Sequence, residues 1–223
     1  MGFCAQQLAR LEPLWERMVQ HPFLVATRDG TLPRRTFANW MQQDYLFVEA
    51  AIPFLAALLA RAPRHHRQPL AAALAALEAE LGLFRERAQA AGIELAEGSP
   101  AFIAHAYIQF LHASAARRSY AEAYTVLYAA EKAYLDSWAG VREGIDRASP
   151  WFPFVDNWSG ESFRSYVGYL GGELDALASE AGPAEREGMA ELFETTARYE
   201  LAFWELAYHG PGWPGLDGRQ GAV

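Results

Sequence analysis

Cysteine is almost absent from this sequence, and positive charge is in the minority. Cys4 is the single cysteine among 223 residues, so no disulfide can form within the chain and an oxidising compartment is not indicated. We therefore expect a cytoplasmic protein. The 27 acidic residues against 19 basic ones give a formal net charge of -8. That charge would repel a phosphate backbone, which argues against a nucleic-acid partner.

Long hydrophobic runs are also missing. The most apolar stretch, residues 52–60, is about half as long as the ~20 residues that a spanning helix requires. The N-terminus lacks the apolar core of a signal peptide, and Gln6 does not fit the myristoylation pattern. We expect no association with a membrane.

No alternating pattern of β-branched residues predicts a strand, and no linker divides the chain. Apolar residues recur at helical spacing, which predicts a soluble, all-α, single-domain bundle of about seven helices over residues 1–208. The Gly- and Pro-rich residues 209–223 are predicted to form an irregular tail. Pro53 should kink the second helix. The helices are predicted at Gln6–Gln20, Pro33–Arg61, Gln68–Ala91, Pro100–Ala116, Tyr120–Asp146, Gly160–Glu180 and Pro183–Tyr208, with Ser99, Ser119 and Ser159 as N-caps.

The usual metal-binding motifs do not occur. The sequence has no Glu-x-x-His, no His-Glu-x-x-His and no paired cysteines, so we predict neither a metal nor another cofactor. The polar run from Arg64 to Arg67 is predicted to be a solvated turn between helices.

Three acidic residues, by contrast, fall on apolar helix faces. At 3.6 residues per turn, Asp44 aligns with Trp40, Met41 and Val48, whereas acids normally occupy the opposite face. The same test places Glu131 and Glu200 among aromatic and aliphatic neighbours.

Burial of an unpaired carboxylate costs several kcal/mol and raises its pKa, as a general acid or base at neutral pH requires. The three acids therefore predict a hydrolytic pocket for a small flat heterocycle. Alternatively, each acid anchors an Arg or Tyr across a helix interface.

Local segments of the sequence resemble the TenA/thiaminase II family over nearly the whole chain. The resemblance begins with HPFLVATRDGTLPRRTFANWMQQDYLFVEA at residues 21–50. It continues through YAEAYTVLYAAEKAYLDSW at 120–138, NWSGESFRSYV at 157–167 and RYELAFWELAY at 198–208. The family implies a haem-oxygenase-like helical fold and a homo-oligomer, either a tetramer or a dimer.

The resemblance also implies roles for individual residues. Asp44 matches the family's aspartate that binds the aminopyrimidine edge, and Phe47 matches the aromatic residue that stacks on the ring. Glu200 matches the catalytic acid/base, while Tyr134 and Trp158 would supply further ring faces.

The sequence departs from the family pattern in two places. The thiaminase nucleophile, a cysteine, falls at or next to Ala130, where no thiol is present, and Glu131 stands beside it. This arrangement is similar to the Cys-lacking TenA-E branch. Two pocket tyrosines of the family appear as Trp158 and His112. The match implies that His112 contacts the substrate, and the alternative is an ordinary core or interface histidine.

The resemblance to TenA-E proteins implies a thiamin-salvage hydrolase that deaminates aminomethyl-pyrimidine to hydroxymethyl-pyrimidine. Some members of that branch also remove formate from the N-formyl precursor. In this interpretation Glu200 and Glu131 are catalytic, while Asp44, Phe47, Tyr134, Trp158 and His112 bind the substrate. Two alternatives stay open: a non-catalytic pyrimidine-binding protein, and a hydrolase of a different small amine on the same scaffold.

Overall fold

The computed structural model describes residues 1–95 and 98–214, which contain ten helices and no strand. The predicted all-α class is confirmed, although the expected number of helices was too low. The helices are α1 (Phe3–Arg10), α2 (Glu12–Val19), α3 (Pro22–Arg28), α4 (Arg34–Arg61), α5 (Arg64–Ala91), α6 (Phe102–Arg117), α7 (Tyr120–Arg142), α8 (Phe152–Ser159), α9 (Glu161–Glu180) and α10 (Pro183–His209).

The additional helices are short, and three of them have a proline in the first turn. The predicted first helix divides at Leu11 into α1 and α2, with Pro13 in the first turn of α2. The helices α3 and α8 were missed altogether, and they too have a proline in the first turn. A proline suits that position because its missing N–H would have no partner inside the helix. His21 caps α3, where its Nδ1 accepts the Phe23 N–H at 3.2 Å.

The predicted N-caps had mixed outcomes. Ser119 caps α7 in a capping box: its Oγ accepts the Glu122 N–H at 3.1 Å, and Glu122 accepts the Ser119 N–H at 2.8 Å. Ser99 was wrong because α6 begins later, with Ala101 as its N-cap. Ser159 was also wrong because it ends α8, and its hydroxyl donates to the Val155 carbonyl of that helix.

α7 is the central helix of the bundle and packs against α10, α8, α9, α3, α2 and α6. Large aromatic side chains fill the core around it. The Trp40 ring lies 5.1 Å from that of Trp138 and 5.3 Å from that of Phe154, both in edge-on geometry. Such pairs add to the stabilisation that burial of the rings provides.

α4 is long and continues through Pro53 to Arg61. By length and composition alone it would suffice to span a membrane, because one 18-residue window reaches a mean hydropathy of 1.4. The helix was predicted within one residue of its observed bounds, but the expectation of no membrane association considered only residues 52–60 and underestimated the length of its apolar sequence. α4 packs against α5, α6 and α10. A long helix in the core of any helical protein can have the same length and composition as α4. These two properties alone therefore do not identify a membrane-spanning segment.

α10 ends at His209, and residues 210–214 are not helical. The rest of the predicted irregular tail, residues 215–223, lies outside the described residues. The proposed boundary at residue 208 stays a prediction.

Candidate active site

Side chains from seven helices enclose a cavity of about 270 Å³. Acidic and aromatic residues share its wall, and no lysine, arginine or histidine occurs among the described residues that line it. The lining residues are Asp44, Phe47, Val48, Ala51, Phe54, Leu55, Ala73, Ala76, Leu77, Glu80, Leu111, Leu127, Ala130, Glu131, Tyr134, Asn157, Trp158, Ser162, Phe163, Tyr166 and Glu200.

Asp44 is buried on α4 and shares a hydrogen bond with a tyrosine of α7. The Tyr134 hydroxyl donates to Asp44 Oδ1 at 2.5 Å, whereas the buried Oδ2 has no partner among the described residues. Burial raises the pKa of Asp44 to about 7, and the hydrogen bond from Tyr134 acts in the opposite direction. One oxygen is therefore fixed, and the other is available to a ligand.

Glu200 on α10 has the same arrangement with a different tyrosine. The Tyr107 hydroxyl donates to Glu200 Oε1 at 2.6 Å, and the buried Oε2 has no partner among the described residues. Burial raises the pKa of Glu200 to about 8; the Tyr107 hydrogen bond lowers it, and the negative charges of Asp44 and Glu131 add to the increase. Sequence reasoning missed Tyr107, because no local pattern reveals a partner 93 residues away.

Glu131 lines the cavity from α7, one residue after Ala130. Burial alone raises the pKa of Glu131 to about 7. Ala130, which the resemblance places at or next to the family's cysteine, lines the same cavity and carries only a methyl group. Cys4 does not line it. Burial raises the pKa of the Cys4 thiol to about 12, which keeps that thiol protonated and unreactive.

Glu80 on α5 is a fourth acid of the cavity, and the sequence analysis did not identify it. Asn157 Nδ2 donates to Glu80 Oε2 at 3.4 Å. Burial raises the pKa of Glu80 well above its usual range, and the charges of Asp44 and Glu131 add to that effect. Periodicity could have identified Glu80, because Leu77 and Phe84 lie at i−3 and i+4 on its face.

Aromatic rings form much of the remaining wall. Phe47 packs against Tyr107, with ring centroids 4.7 Å apart. The Trp158 ring meets that of Tyr134 edge-on at 5.5 Å and stacks on Trp138 at 5.5 Å. The structure thus brings Asp44, Phe47, Glu131, Tyr134, Trp158 and Glu200 together around one cavity, while their individual roles stay predictions.

His112 is the exception among the predicted site residues. It does not line the cavity, and its Nε2 lies 2.8 Å from the Ala50 carbonyl oxygen on α4. The expected contact with substrate is therefore corrected: His112 joins α6 to the backbone of α4.

Comparisons with known proteins agree with this architecture. An aminopyrimidine aminohydrolase of Halalkalibacterium halodurans is 29% identical over 223 residues, covering 96% of this chain and 98% of the relative. A probable bifunctional TENA-E protein of Glycine max is 26% identical over 214 residues, or 93% of each chain. The X-ray structure of a TenA homologue from Pyrococcus furiosus is 34% identical, with a TM-score of 0.89. That match covers 92% of this chain and all of the homologue (100%).

The family model described as TENA/THI-4/PQQC matches residues 8–210. This range includes nine complete helices and every acid of the cavity. The chain belongs to the TENA/THI-4/PQQC family.

Proposed function

We propose that this protein is a thiamin-salvage hydrolase that replaces the amine of an aminomethyl-pyrimidine with a hydroxyl group from water. The reaction consumes one water and releases one ammonia, leaving hydroxymethyl-pyrimidine. Relatives named aminopyrimidine aminohydrolase support this class of reaction. The observation that carries it is the pair Asp44 and Glu200: each has one oxygen held by a tyrosine and a second, buried oxygen without a partner among the described residues.

The binding half of the site uses Asp44 and the rings. Asp44 Oδ2 accepts a hydrogen bond from the exocyclic amine of the pyrimidine, while Tyr134 keeps the carboxyl in place. Phe47 and Trp158 provide apolar faces for the flat ring. A buried acceptor left without its donor is costly, so this arrangement selects an aminopyrimidine over an analogue that lacks the amine.

The chemical half uses Glu200 and Glu131. In its ionised form Glu200 removes a proton from water as the water oxygen bonds to the methylene carbon and the carbon–nitrogen bond breaks. That proton is transferred to the amine nitrogen as the carbon–nitrogen bond breaks, so the amine leaves as neutral ammonia. Glu131 positions the water and stabilises positive charge that develops on the methylene carbon. The raised pKa values of both acids suit proton transfer near neutral pH.

This mechanism needs no cysteine. Ala130 lines the cavity where the family's nucleophile would lie, and the buried Cys4 lies elsewhere. Covalent displacement of the thiazole from intact thiamin requires a nucleophile such as a thiolate. We therefore propose that intact thiamin is not cleaved. We also propose that the N-formyl precursor is a second substrate: one water adds to the formyl carbon, the amide carbon–nitrogen bond breaks, and formate leaves the aminomethyl-pyrimidine, which is the substrate of the first reaction.

Separate incubations with three compounds test the proposal. Purified protein is given aminomethyl-pyrimidine, its N-formyl derivative or thiamin, and ammonia, formate and hydroxymethyl-pyrimidine are measured by chromatography. We expect ammonia from the first compound, formate followed by ammonia from the second, and no product from thiamin. Binding of the first compound without any turnover would favour a pyrimidine-binding protein. Neither binding nor turnover would mean that the cavity accepts a different amine.

A further inference from the structure

A second cluster of chemically reactive side chains lies between the first turn of α5 and the middle of α9. It consists of His65, His66 and Glu173, whose ligand atoms all lie within 4.8 Å of one another. None of the three lines the cavity. The sequence analysis predicted a solvated turn here, and that was wrong: α5 begins at Arg64, and His66 is only 1% exposed.

His66 is held in place at both ring nitrogens. Its Nδ1 lies 2.7 Å from the Tyr120 hydroxyl, and its Nε2 lies 2.7 Å from Glu173 Oε2. The His65 Nε2 lies 3.5 Å from the same carboxylate oxygen, and the His65 side chain is 69% exposed. The cluster therefore combines a rigid buried histidine, a shared carboxylate and a third ligand that reaches solvent.

We propose that His65, His66 and Glu173 form a binding site for a divalent transition-metal ion of the Zn²⁺ class. Ligand atoms at ~2.0–2.1 Å from a tetrahedral zinc ion lie about 3.3 Å from one another. The separations of Glu173 Oε2 from the two histidine nitrogens, 2.7 and 3.5 Å, bracket that distance. All three ligand atoms lie within 4.8 Å of one another. Two imidazoles and one carboxylate are a ligand set that zinc accepts, with water in the fourth position.

Tyr120 acts as a positioning residue for this site. A neutral histidine that binds a metal through Nε2 carries its proton on Nδ1, and the Tyr120 oxygen is placed to accept a hydrogen bond from that N–H. Hydrogen bonds of this kind fix the tautomer and the ring orientation of metal ligands. Tyr120 lies on α7, so the site draws on three helices.

A bound ion would connect α5 to α9, two helices that also contribute to the wall of the cavity. Leu77 and Glu80 of α5 and Phe163 and Tyr166 of α9 all line that cavity. α5 packs chiefly against α4, whereas α9 packs chiefly against α7. An ion held by the cluster would therefore link two helices that otherwise pack against different partners. An ion that binds only the folded chain stabilises it in proportion to its occupancy. The site is independent of the proposed hydrolysis.

The test uses untagged, full-length protein dialysed against EDTA and then titrated with ZnCl₂ by calorimetry. We expect one Zn²⁺ per chain and a higher thermal unfolding midpoint. His65→Ala removes an exposed ligand with little effect on folding, and should weaken binding by at least about tenfold. His105→Ala, which removes an exposed histidine from α6, is the matched control and should bind like the wild type.

Two further variants separate the site from its alternatives. Tyr120→Phe should weaken zinc binding about tenfold, because the imidazole loses its orienting partner. Cobalt bound at the site should give a visible spectrum that His65→Ala alters and His105→Ala does not. The proposal is overturned if zinc does not bind, or if His65→Ala binds it as tightly as wild type. It is also overturned if binding is lost instead in His209→Ala, since His209 pairs with Glu205 at the far end of α10.

Discussion

The hydrogen bond between Tyr107 and Glu200 should set the pH dependence of activity. The bond stabilises the ionised form of Glu200 and so lowers its pKa. Burial has the larger, opposite effect, and the resulting pKa is about 8. Tyr107→Phe removes the donor and leaves the ring in place. The pKa of Glu200 should therefore rise, and the pH at which activity appears should rise with it.

The size of the effect follows from the strength of the bond. A hydrogen bond to a charged group contributes about 1.5–3 kcal/mol, and each pKa unit corresponds to 1.36 kcal/mol, so we expect a rise of at least about one unit. With a pKa of about 8, roughly a tenth of Glu200 is ionised at pH 7. One further unit reduces this to about a hundredth, so kcat/KM at pH 7 should fall about tenfold and recover above about pH 9.

The assay is a pH profile of kcat/KM for ammonia release, measured for wild type, Tyr107→Phe and Tyr199→Phe. The control removes a hydroxyl from the ring stacked on Tyr107 at 4.9 Å, a hydroxyl that does not bond to Glu200. Its profile should match that of wild type. A uniform loss of activity in Tyr107→Phe, with no shift along the pH axis, would refute the role of Glu200 as a base in its ionised form.

Three further predictions concern the other acids and one helix cap. Glu80→Gln should raise KM for the amine about tenfold, equivalent to about 1.4 kcal/mol, because Glu80 can ionise to balance the charge of a protonated amine and glutamine cannot. Glu78→Gln, exposed on the same helix, should leave KM unchanged. The pKa of Asp44 is raised from 3.8 to about 7, so between these values the folded protein holds a proton that the unfolded chain releases. The stability that the protonated Asp44 contributes is therefore lost as the pH rises through about 7. Asp44→Asn should flatten this fall in thermal unfolding measured between pH 5 and pH 8. Ser119→Ala should reduce the free energy of unfolding by about 1 kcal/mol in urea titrations, whereas Ser99→Ala, which caps nothing, should have no effect.

Helical periodicity identified three of the four acids of the cavity because the helices that carry them have clear apolar faces. Asp44, Glu131 and Glu200 interrupt well-defined apolar stripes, so each stands out as an acid on the wrong face. Glu80 lies in the Ala-rich helix α5, where Glu78 competes with it as the inward residue. Leu77 and Phe84 favour Glu80 as the inward acid, but this apolar stripe is weaker than those around the other three acids. In the structure Glu80 accepts a hydrogen bond from Asn157 of α8.

Contacts between residues that are distant in sequence could not be predicted from local sequence patterns. His66 stands in a run of four polar residues that is typical of a turn, yet it is buried by Tyr120 and Glu173, which lie 54 and 107 residues away. His112 was placed in the pocket by resemblance, but its ring bonds to a backbone carbonyl of α4 instead. The short helices α3 and α8 were missed because seven or eight residues give too few turns to establish a period.

The most direct test of the proposed function is the rate of ammonia release from aminomethyl-pyrimidine by wild type and by Glu200→Gln, measured alongside substrate affinity. The substituted amide would keep the size of the side chain and an oxygen for Tyr107, but it cannot carry a proton between water and amine. We predict that substrate affinity changes by less than about threefold while turnover falls at least about a hundredfold. Equal turnover in the two proteins would contradict the assignment of Glu200 as the acid/base, and no release from either would contradict the hydrolase itself.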